Sequence, residues 1–346
     1  MKWKKLLTYA LFVFVLFCFT VASLPYFRSA NTVPAGGTLE LHLIDVGQGD
    51  SILLRCGDHA MLIDGGTPGN SSRIYTYLTK LGVDHLDYIV ATHAHDDHVG
   101  GLAGALNAAR VDMALSSAET AERRAFQSFL KYLAEQNVTV TVPKPGDSFS
   151  LGAAEFTVLG PIRESANVND TSLVLLLRFG SFRAMFTGDA EQAEERDILA
   201  AGAVTACDVL KVGHHGSANA SSAAWVDAIH PKLALISCGK NNEYGHPAAE
   251  TLQRLEAVGA EILRTDELGD IVISVQPDGA YTVQSGVGTQ ITQGDMAYVI
   301  NLRTGKFHLP DCPSAREITP ANRQESADSR ETLIALGYEP CGRCKP

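Results

Sequence analysis

The stretch Thr92-His93-Ala94-His95-Asp96-Asp97-His98 comes directly after the apolar run Tyr88-Ile89-Val90-Ala91 and reads His-x-His-x-Asp-His. In a loop leaving a strand, residues two apart share a side. His93 and His95 can therefore converge on one ion while Asp97 and His98 turn toward a second. Three imidazoles and two carboxylates within six residues repel their own kind as they charge, which a solvated turn does not explain and bound cations do. Two divalent ions held a few ångströms apart can make hydroxide at neutral pH and clamp the attacked and leaving oxygens of a substrate.

Other pieces come in order along the chain: Leu62-Ile63-Asp64-Gly65-Gly66, Phe186-Thr187-Gly188-Asp189, and Leu210-Lys211-Val212-Gly213-His214-His215-Gly216-Ser217. Together with the histidine stretch they resemble the signature of the metallo-β-lactamase fold superfamily. The resemblance implies that His93 and His95 hold a first ion and that Asp97, His98 and one of His214 and His215 hold a second. His214, at the strand end, is favoured. It also implies that Asp189 bridges both ions and orients a hydroxide between them, and that Asp64 orients the metal-binding loop from behind. The family usually supplies one more histidine before the strand leading to Asp189, and Val168-Asn169-Asp170-Thr171-Ser172-Leu173-Val174-Leu175 has none. Asn169 or Asp170 can offer an oxygen instead, which admits manganese beside zinc as the cofactor.

Within the superfamily the wording is most similar to the extracytoplasmic hydrolase domain of ComEC-type DNA-uptake proteins. The matching pieces are Ile44-Asp45-Val46-Gly47-Gln48-Gly49-Asp50-Ser51, Asn169-Asp170-Thr171-Ser172, Gly213-His214-His215-Gly216-Ser217 and Asn242-Glu243-Tyr244-Gly245-His246-Pro247. The similarity covers about residues 38–283 and implies a phosphodiesterase or nuclease that acts on DNA beside the uptake machinery. His246 is either a helix-entry residue or a late catalytic histidine that contacts the scissile phosphate or protonates the leaving oxygen. Lys211 and Lys240 are candidate phosphate contacts. Fold does not decide substrate, so a cell-envelope phosphoester, a small lactam or lactone, and a non-catalytic surface protein that binds DNA through its tail stay open. His42, His59, His85 and His230 lie outside ligand spacing and read as structural. Cys56, Cys207 and Cys238 read as small buried hydrophobes. No Gly-x-Ser-x-Gly elbow and no Gly-x4-Gly-Lys-Ser/Thr loop occurs, so neither a serine nucleophile nor a nucleotide cofactor is expected.

A chain of 346 residues favours about two domains. The expected division is 1–37 signal or membrane anchor with linker, 38–283 hydrolase domain, 284–296 linker and 297–346 zinc-binding module. Lys2, Lys4 and Lys5 precede the apolar run Leu6 to Leu24, a pattern that sends the downstream chain across a membrane and can anchor it there. ComEC-type proteins also carry a multi-spanning channel, whereas this sequence has a single candidate span. The expected location is extracytoplasmic.

Two half-repeats suggest paired hairpins, each ending at an aspartate. Ser51–Leu54, a turn at Gly57 and Ala60–Asp64 parallel Ser172–Leu175, a turn at Gly180 and Ala184–Asp189. Amphipathic helices are expected over Glu119–Gln136 and Ala248–Val258. Helices covering two central sheets give the α/β, four-layer αββα sandwich that the resemblance also implies.

The tail differs in kind. His308-x3-Cys312 and Cys341-x2-Cys344, with 28 residues between the pairs, have the spacing of a closed tetrahedral zinc site. A capping box at Asp328-Ser329-Arg330-Glu331 starts a helix that should end at Gly337. Phe307-His308 through Cys312, then Leu336-Gly337-Tyr338-Glu339-Pro340-Cys341-Gly342-Arg343-Cys344, is similar to the zinc-binding module of the Ada DNA-repair family. There the first ligand is a cysteine that accepts a methyl group. Here it is His308, so a structural zinc is expected, with Arg343 and Lys345 as the first nucleic-acid contacts to test. A net charge of −11 argues against a large nonspecific DNA surface, because phosphate affinity comes chiefly from Lys and Arg.

Overall fold

The computed structural model describes residues 37–286 and 298–346, apart from 311, 320, 321, 327–329 and 336. The run Leu6–Leu24, the linker residues up to 36 and from 287 to 297, and the Asp328-Ser329 part of the capping box lie outside the described residues. Among the described residues no helix is long and apolar enough to cross a membrane.

Two sheets form the middle of the molecule. The first has eight strands in the order β15 (Tyr281–Ser285), β14 (Ile271–Val275), β1 (Leu39–Leu43), β2 (Ile52–Cys56), β3 (His59–Ile63), β4 (His85–Ala91), β5 (Arg110–Ser116) and β6 (Val140–Thr141). The second has seven: β13 (Glu261–Arg264), β12 (Leu233–Ile236), β11 (Val209–Lys211), β10 (Phe182–Phe186), β9 (Val174–Phe179), β8 (Ala154–Gly160) and β7 (Ser148–Leu151). Both expected hairpins are present, as β2–β3 and β9–β10. From β3 to β6 and from β10 to β13 the strands run parallel.

Period-two alternation decides which side chain enters which layer. Leu39, Leu41, Leu43 and Leu54 of the first sheet meet Phe156, Leu175, Leu177 and Phe186 of the second in one apolar layer. The opposite face of the first sheet packs on the helices α1 (Ser71–Lys80), α2 (Asp96–Val99), α3 (Leu102–Ala108) and α4 (Arg124–Glu135) through residues such as Leu62, Ile89, Tyr77 and Phe129. The outer face of the second packs on α5 (Gln192–Ala201), α6 (Ala223–Ile229) and α7 (Ala249–Ala257) through Ile198, Trp225 and Leu255. The result is the expected αββα sandwich.

Two boundaries differ from the sequence reading. The helix expected from Glu119 begins at Arg124, because Gln127 turns back and its Nε2 donates to the Ala121 carbonyl at 2.6 Å, holding the preceding residues as a loop. Strand β15 continues to Ser285, two residues into the expected linker, since Ser285 pairs with Ile271. The tail forms its own four-stranded sheet, β18 (Arg323–Ser326), β16 (Tyr298–Asn301), β17 (Lys306–His308) and β19 (Glu339–Pro340). Its apolar cluster, which includes Val299, Phe307 and Leu333, also takes in Tyr75 of α1.

Candidate metal centre

The site-bearing loops all leave the carboxyl ends of strands in the two parallel blocks, where open α/β sheets place their ligands. Asp64 comes after β3, the histidine stretch after β4, Asp189 after β10, and His214 and His215 after β11. The β2 approach adds Asp50, which the sequence reading quoted without giving it a role. Gly49 makes that approach possible: its φ is +141°, and a Cβ there would collide with the Asp97 carbonyl.

Asp64 is fully buried and holds the loop in shape. Its Oδ1 accepts the Thr92 N–H at 2.8 Å, and its Oδ2 accepts the Thr92 hydroxyl at 2.7 Å and lies 2.8 Å from His98 Nδ1. Committing Nδ1 to a carboxylate frees His98 Nε2 to face inward, the arrangement typical of ligating histidines. That Nε2 lies 3.2 Å from Asp189 Oδ1, yet neither atom has a hydrogen-bond partner. His215 repeats the pattern. Its Nδ1 is 3.0 Å from the Ser237 carbonyl and 3.2 Å from Asp50 Oδ1, and its Nε2, also without a hydrogen bond, is 3.4 Å from Asp97 Oδ2 and 3.6 Å from Asp189 Oδ2. Asp97, His98 and His215 thus form one group able to hold an ion, and His93, His98 and Asp189 form another. Buried acceptors that converge without hydrogen bonds, in a mixed nitrogen and oxygen donor set, suit divalent cations of the zinc or manganese kind.

His214 and His215 part company here, against the preference for His214 at the Asp97–His98 end. His215 is buried there, whereas His214 stands to one side with its Nδ1 3.0 Å from Glu191 Oε1 and its Nε2 3.8 Å from Asp189 Oδ2. His93 Nε2 is also 3.8 Å from Asp189 Oδ2 and 3.0 Å from His95 Nδ1. Both histidines have positive φ, 49° and 54°, so the chain turns sharply here, and it is His215, one residue further from the strand end, whose Nε2 comes to Asp97.

Asp170, Lys211, Glu191 and Ser172 have tasks that the sequence does not announce. Asp170, named as a ligand, is turned away: Oδ1 accepts the Glu191 N–H at 3.1 Å and Oδ2 takes the Asn167 amide at 3.3 Å, so the carboxylate holds the turn after Asp189. Lys211, named as a phosphate contact, is buried and paired with Asp50 Oδ2 at 2.7 Å. Glu191 went unrecognised, although it lies two residues past Asp189 and organises both His214 and the Asn169 amide, 3.0 Å away. Ser172, in the segment that lacks the family's further histidine, links two of these residues, its hydroxyl accepting the Asp189 N–H at 3.1 Å and lying 3.3 Å from His93 Nδ1.

Charge in the cluster is sharply divided. Burial, then the neighbouring His98, holds His93 well below its ordinary pKa. Burial also works against a cation at His98 and His215, but Asp189 with Asp64, and Asp189 with Asp50, outweigh it and push His98 well up and His215 to about 10. Asp189 is held well below the carboxylate range against its own burial, chiefly by His98 and His215. Without ions the carboxylates therefore draw protons onto the imidazoles that would otherwise be ligands.

The sequence model of the metallo-beta-lactamase superfamily matches residues 44–240. The chain belongs to this superfamily. It is 33% identical over 251 residues to the ComE operon protein 3 of Bacillus subtilis, covering 67% of this chain and 32% of that protein. It is 30% identical over 228 residues to the competence protein ComA of Neisseria gonorrhoeae, covering 65% of this chain and 30% of that protein. This superfamily member is thus a relative of ComEC-type competence proteins and spans about a third of the length of the curated relatives it matches. Among solved structures, the metallo-beta-lactamase fold protein YhfI of Bacillus subtilis aligns with 72% of this chain and 100% of its own at a TM-score of 0.47 and 15% identity.

Above the superfamily's metal-binding loops lies a cleft of about 560 Å³ lined by Gln48, His95, Arg123, Asp189, Tyr244 and His246 among others. His246 is brought to the site: its ring lies 5.5 Å from that of His214 and 6.5 Å from that of His215. Burial, then repulsion from His214 and His215, lowers its pKa to about 4. Lys240 is exposed and is not among the lining residues.

His42, His59 and His85 find structural partners, with Tyr77, Asp87 and Asp112. His230 caps the end of α6. Cys56, Cys207 and Cys238 are buried and free. In the tail, one ligand atom each from His308, Cys312, Cys341 and Cys344 lies within 4.8 Å of the others, all four residues are buried, and both His308 nitrogens lack a hydrogen bond. The Cys341 and Cys344 sulfurs accept backbone N–H groups from Arg343 at 3.3 Å and Leu309 at 3.4 Å, contacts that favour thiolates. Arg343 is exposed, and Lys345 is half-buried with its pKa lowered by burial and by Lys131.

Proposed function

We propose that this chain is an exported, metal-dependent phosphodiesterase that cuts DNA outside the cytoplasm, working with a DNA-uptake apparatus and kept at the membrane by the Leu6–Leu24 run or released from it. The observation that carries the hydrolase reading is the approach of two buried imidazoles to Asp189, His98 Nε2 at 3.2 Å from Oδ1 and His215 Nε2 at 3.6 Å from Oδ2, with both ring nitrogens and Oδ1 lacking hydrogen bonds. The competence-protein relatives support DNA as the substrate.

Two divalent ions, zinc or manganese, would supply a water of lowered pKa and Lewis-acid stabilisation of phosphoryl oxygens. His93, His95 and His214 would hold the first and Asp97, His98 and His215 the second, with Asp189 shared. Asp64, Asp50 and Glu191 each fix the far nitrogen of one imidazole and so set which nitrogen points inward. His246 is neutral near pH 7 and can donate an N–H to the scissile phosphate or the leaving oxygen. A further zinc, held by His308, Cys312, Cys341 and Cys344, would be structural.

The test is hydrolysis of single- and double-stranded DNA and of bis-p-nitrophenyl phosphate by the full-length chain with Mn²⁺ or Zn²⁺. Cleavage of DNA that falls about 10²-fold or more in Asp189→Ala supports the reading. Turnover of the small diester alone would move the substrate to another phosphoester. No turnover with either ion would leave a binding protein.

A further inference from the structure

We propose that Tyr244 is a stacking platform for an unpaired nucleobase, which would make the cleft selective for single-stranded over double-stranded DNA. The inference rests on the nuclease reading above and names the substrate of that same site.

Tyr244 is 64% exposed, more than any other exposed large hydrophobic among the described residues, and it is the one aromatic in that group. It lines the cleft over the candidate metal centre. Its exposure does not come from a loose loop. The Asn242 side chain clamps the turn on both sides, donating to the Gly239 carbonyl at 2.9 Å and the His246 carbonyl at 2.5 Å and accepting the His246 N–H at 3.0 Å.

The ring also has a defined direction. It lies 5.8 Å from the His246 ring at an interplanar angle of 27°, and His246 lies 6.5 Å from His215 at 29°. The rings of His215, His246 and Tyr244 therefore step from the buried cluster to solvent, each tilted by at most 29° on the next, and the outermost is the exposed one. A strand whose phosphate sits at the metal-binding loops would carry a base to that face within roughly one or two nucleotides.

The charges of the cleft explain why an aromatic is needed. Arg123 is the one arginine or lysine among the lining residues, beside the carboxylates of Asp96, Asp97, Asp189 and Glu243. Its guanidinium is already 3.9 Å from Asp96. On a chain of net charge −11, attraction for phosphates beyond that of bound ions is small. Base stacking supplies affinity without net charge and tolerates any sequence, since every base has a π-face. A duplex hides those faces between neighbouring pairs, whereas a single strand offers them. A tyrosine suits the position because its face is apolar while its hydroxyl stays wet.

The test uses the full-length chain with Mn²⁺, an oligonucleotide carrying 2-aminopurine, its duplex, and a strand of the same length with abasic positions. Tyr244→Ala should raise KM for the single strand about tenfold, and Tyr244→Trp should bring it back. On the abasic strand the ratio between variant and wild type should fall to about one, and the preference for single strand over duplex should shrink with the variant. Quenching of 2-aminopurine on binding should be lost in Tyr244→Ala, a readout that needs no turnover. Equal KM values for wild type and Tyr244→Ala on the single strand would overturn the platform while leaving a nuclease. Quenching that depends on Tyr244 in a protein that cuts no DNA would keep the platform and remove the nuclease reading.

Discussion

At the scale of the residue, adjacent histidines with the same chemistry face different tasks because of their far nitrogens. His215 rests on Asp50 and the Ser237 carbonyl, and His214 rests on Glu191. If each holds a different ion, His214→Ala and His215→Ala should each lower bound metal from about two to about one per hydrolase site, with the survivor differing. Metal analysis of the full-length chain, with Co²⁺ spectra to tell one site from the other, measures this. Identical spectra for the two variants would refute the split. The residues legible in advance were the clustered histidines, whose type is unusual for a loop, and Asp189, which the family resemblance picks out. Asp50, Glu191 and Asn167 were not legible. An acidic or amide side chain two or three residues from a turn is common, and only the fold shows which imidazole or carboxylate it meets.

At the scale of the element, helix α5 is tied to the loop after β8 by two carboxylates, Asp197, which pairs with Arg163, and Glu194. Glu194 is buried, and its Oε1 accepts the Ile162 N–H at 2.7 Å. Burial, with smaller repulsion from Asp197 and Asp170, raises its pKa from 4.5 to about 7, although the Ile162 contact opposes this. The folded protein therefore keeps a proton that the unfolded chain has lost between those values. The stability that Glu194 contributes is full below about pH 4.5, falls as pH rises to about 7, and stays level above. Glu194→Gln retains the acceptor and removes the ionisation. Discounted for relaxation of the buried site around the charge, it should gain about 1–2 kcal/mol at pH 8 and nothing at pH 4.5. Urea melts at the two pH values check this, and an equal gain at both would sink it. Elements themselves were readable where periodicity was strong: both hairpins and the helix Ala249–Ala257 fall where the apolar spacing puts them. The start of α4 was not, because Gln127 closes the preceding loop with a side-chain bond that helical periodicity does not encode.

At the scale of the whole molecule, the sandwich and the tail meet where Tyr75 of α1 enters the tail's apolar cluster and Ala108 of α3 packs against it. The tail is too small to bury much core of its own, so a Cys₃His zinc should carry much of its stability. Cys341→Ser should cost about one zinc per chain and open residues 298–346 to trypsin, while Asp189-dependent hydrolysis stays within about threefold. Retained protection of the tail without zinc would show that packing on α1 and α3 suffices. The sandwich was legible because its motifs lie at strand ends in a fixed order, whereas the seating of the tail depends on tertiary contact that no spacing reports. The division of ligands between the sheets has a consequence for how the protein matures. In the proposed assignment each ion draws side chains from loops of both sheets, Asp97 and His98 from one and Asp189 and His215 from the other. A half-folded chain has only part of either ligand set. The metal acquired is then the one supplied where folding finishes, and a chain carried unfolded across a membrane would be loaded on the far side, whatever ions surrounded the ribosome.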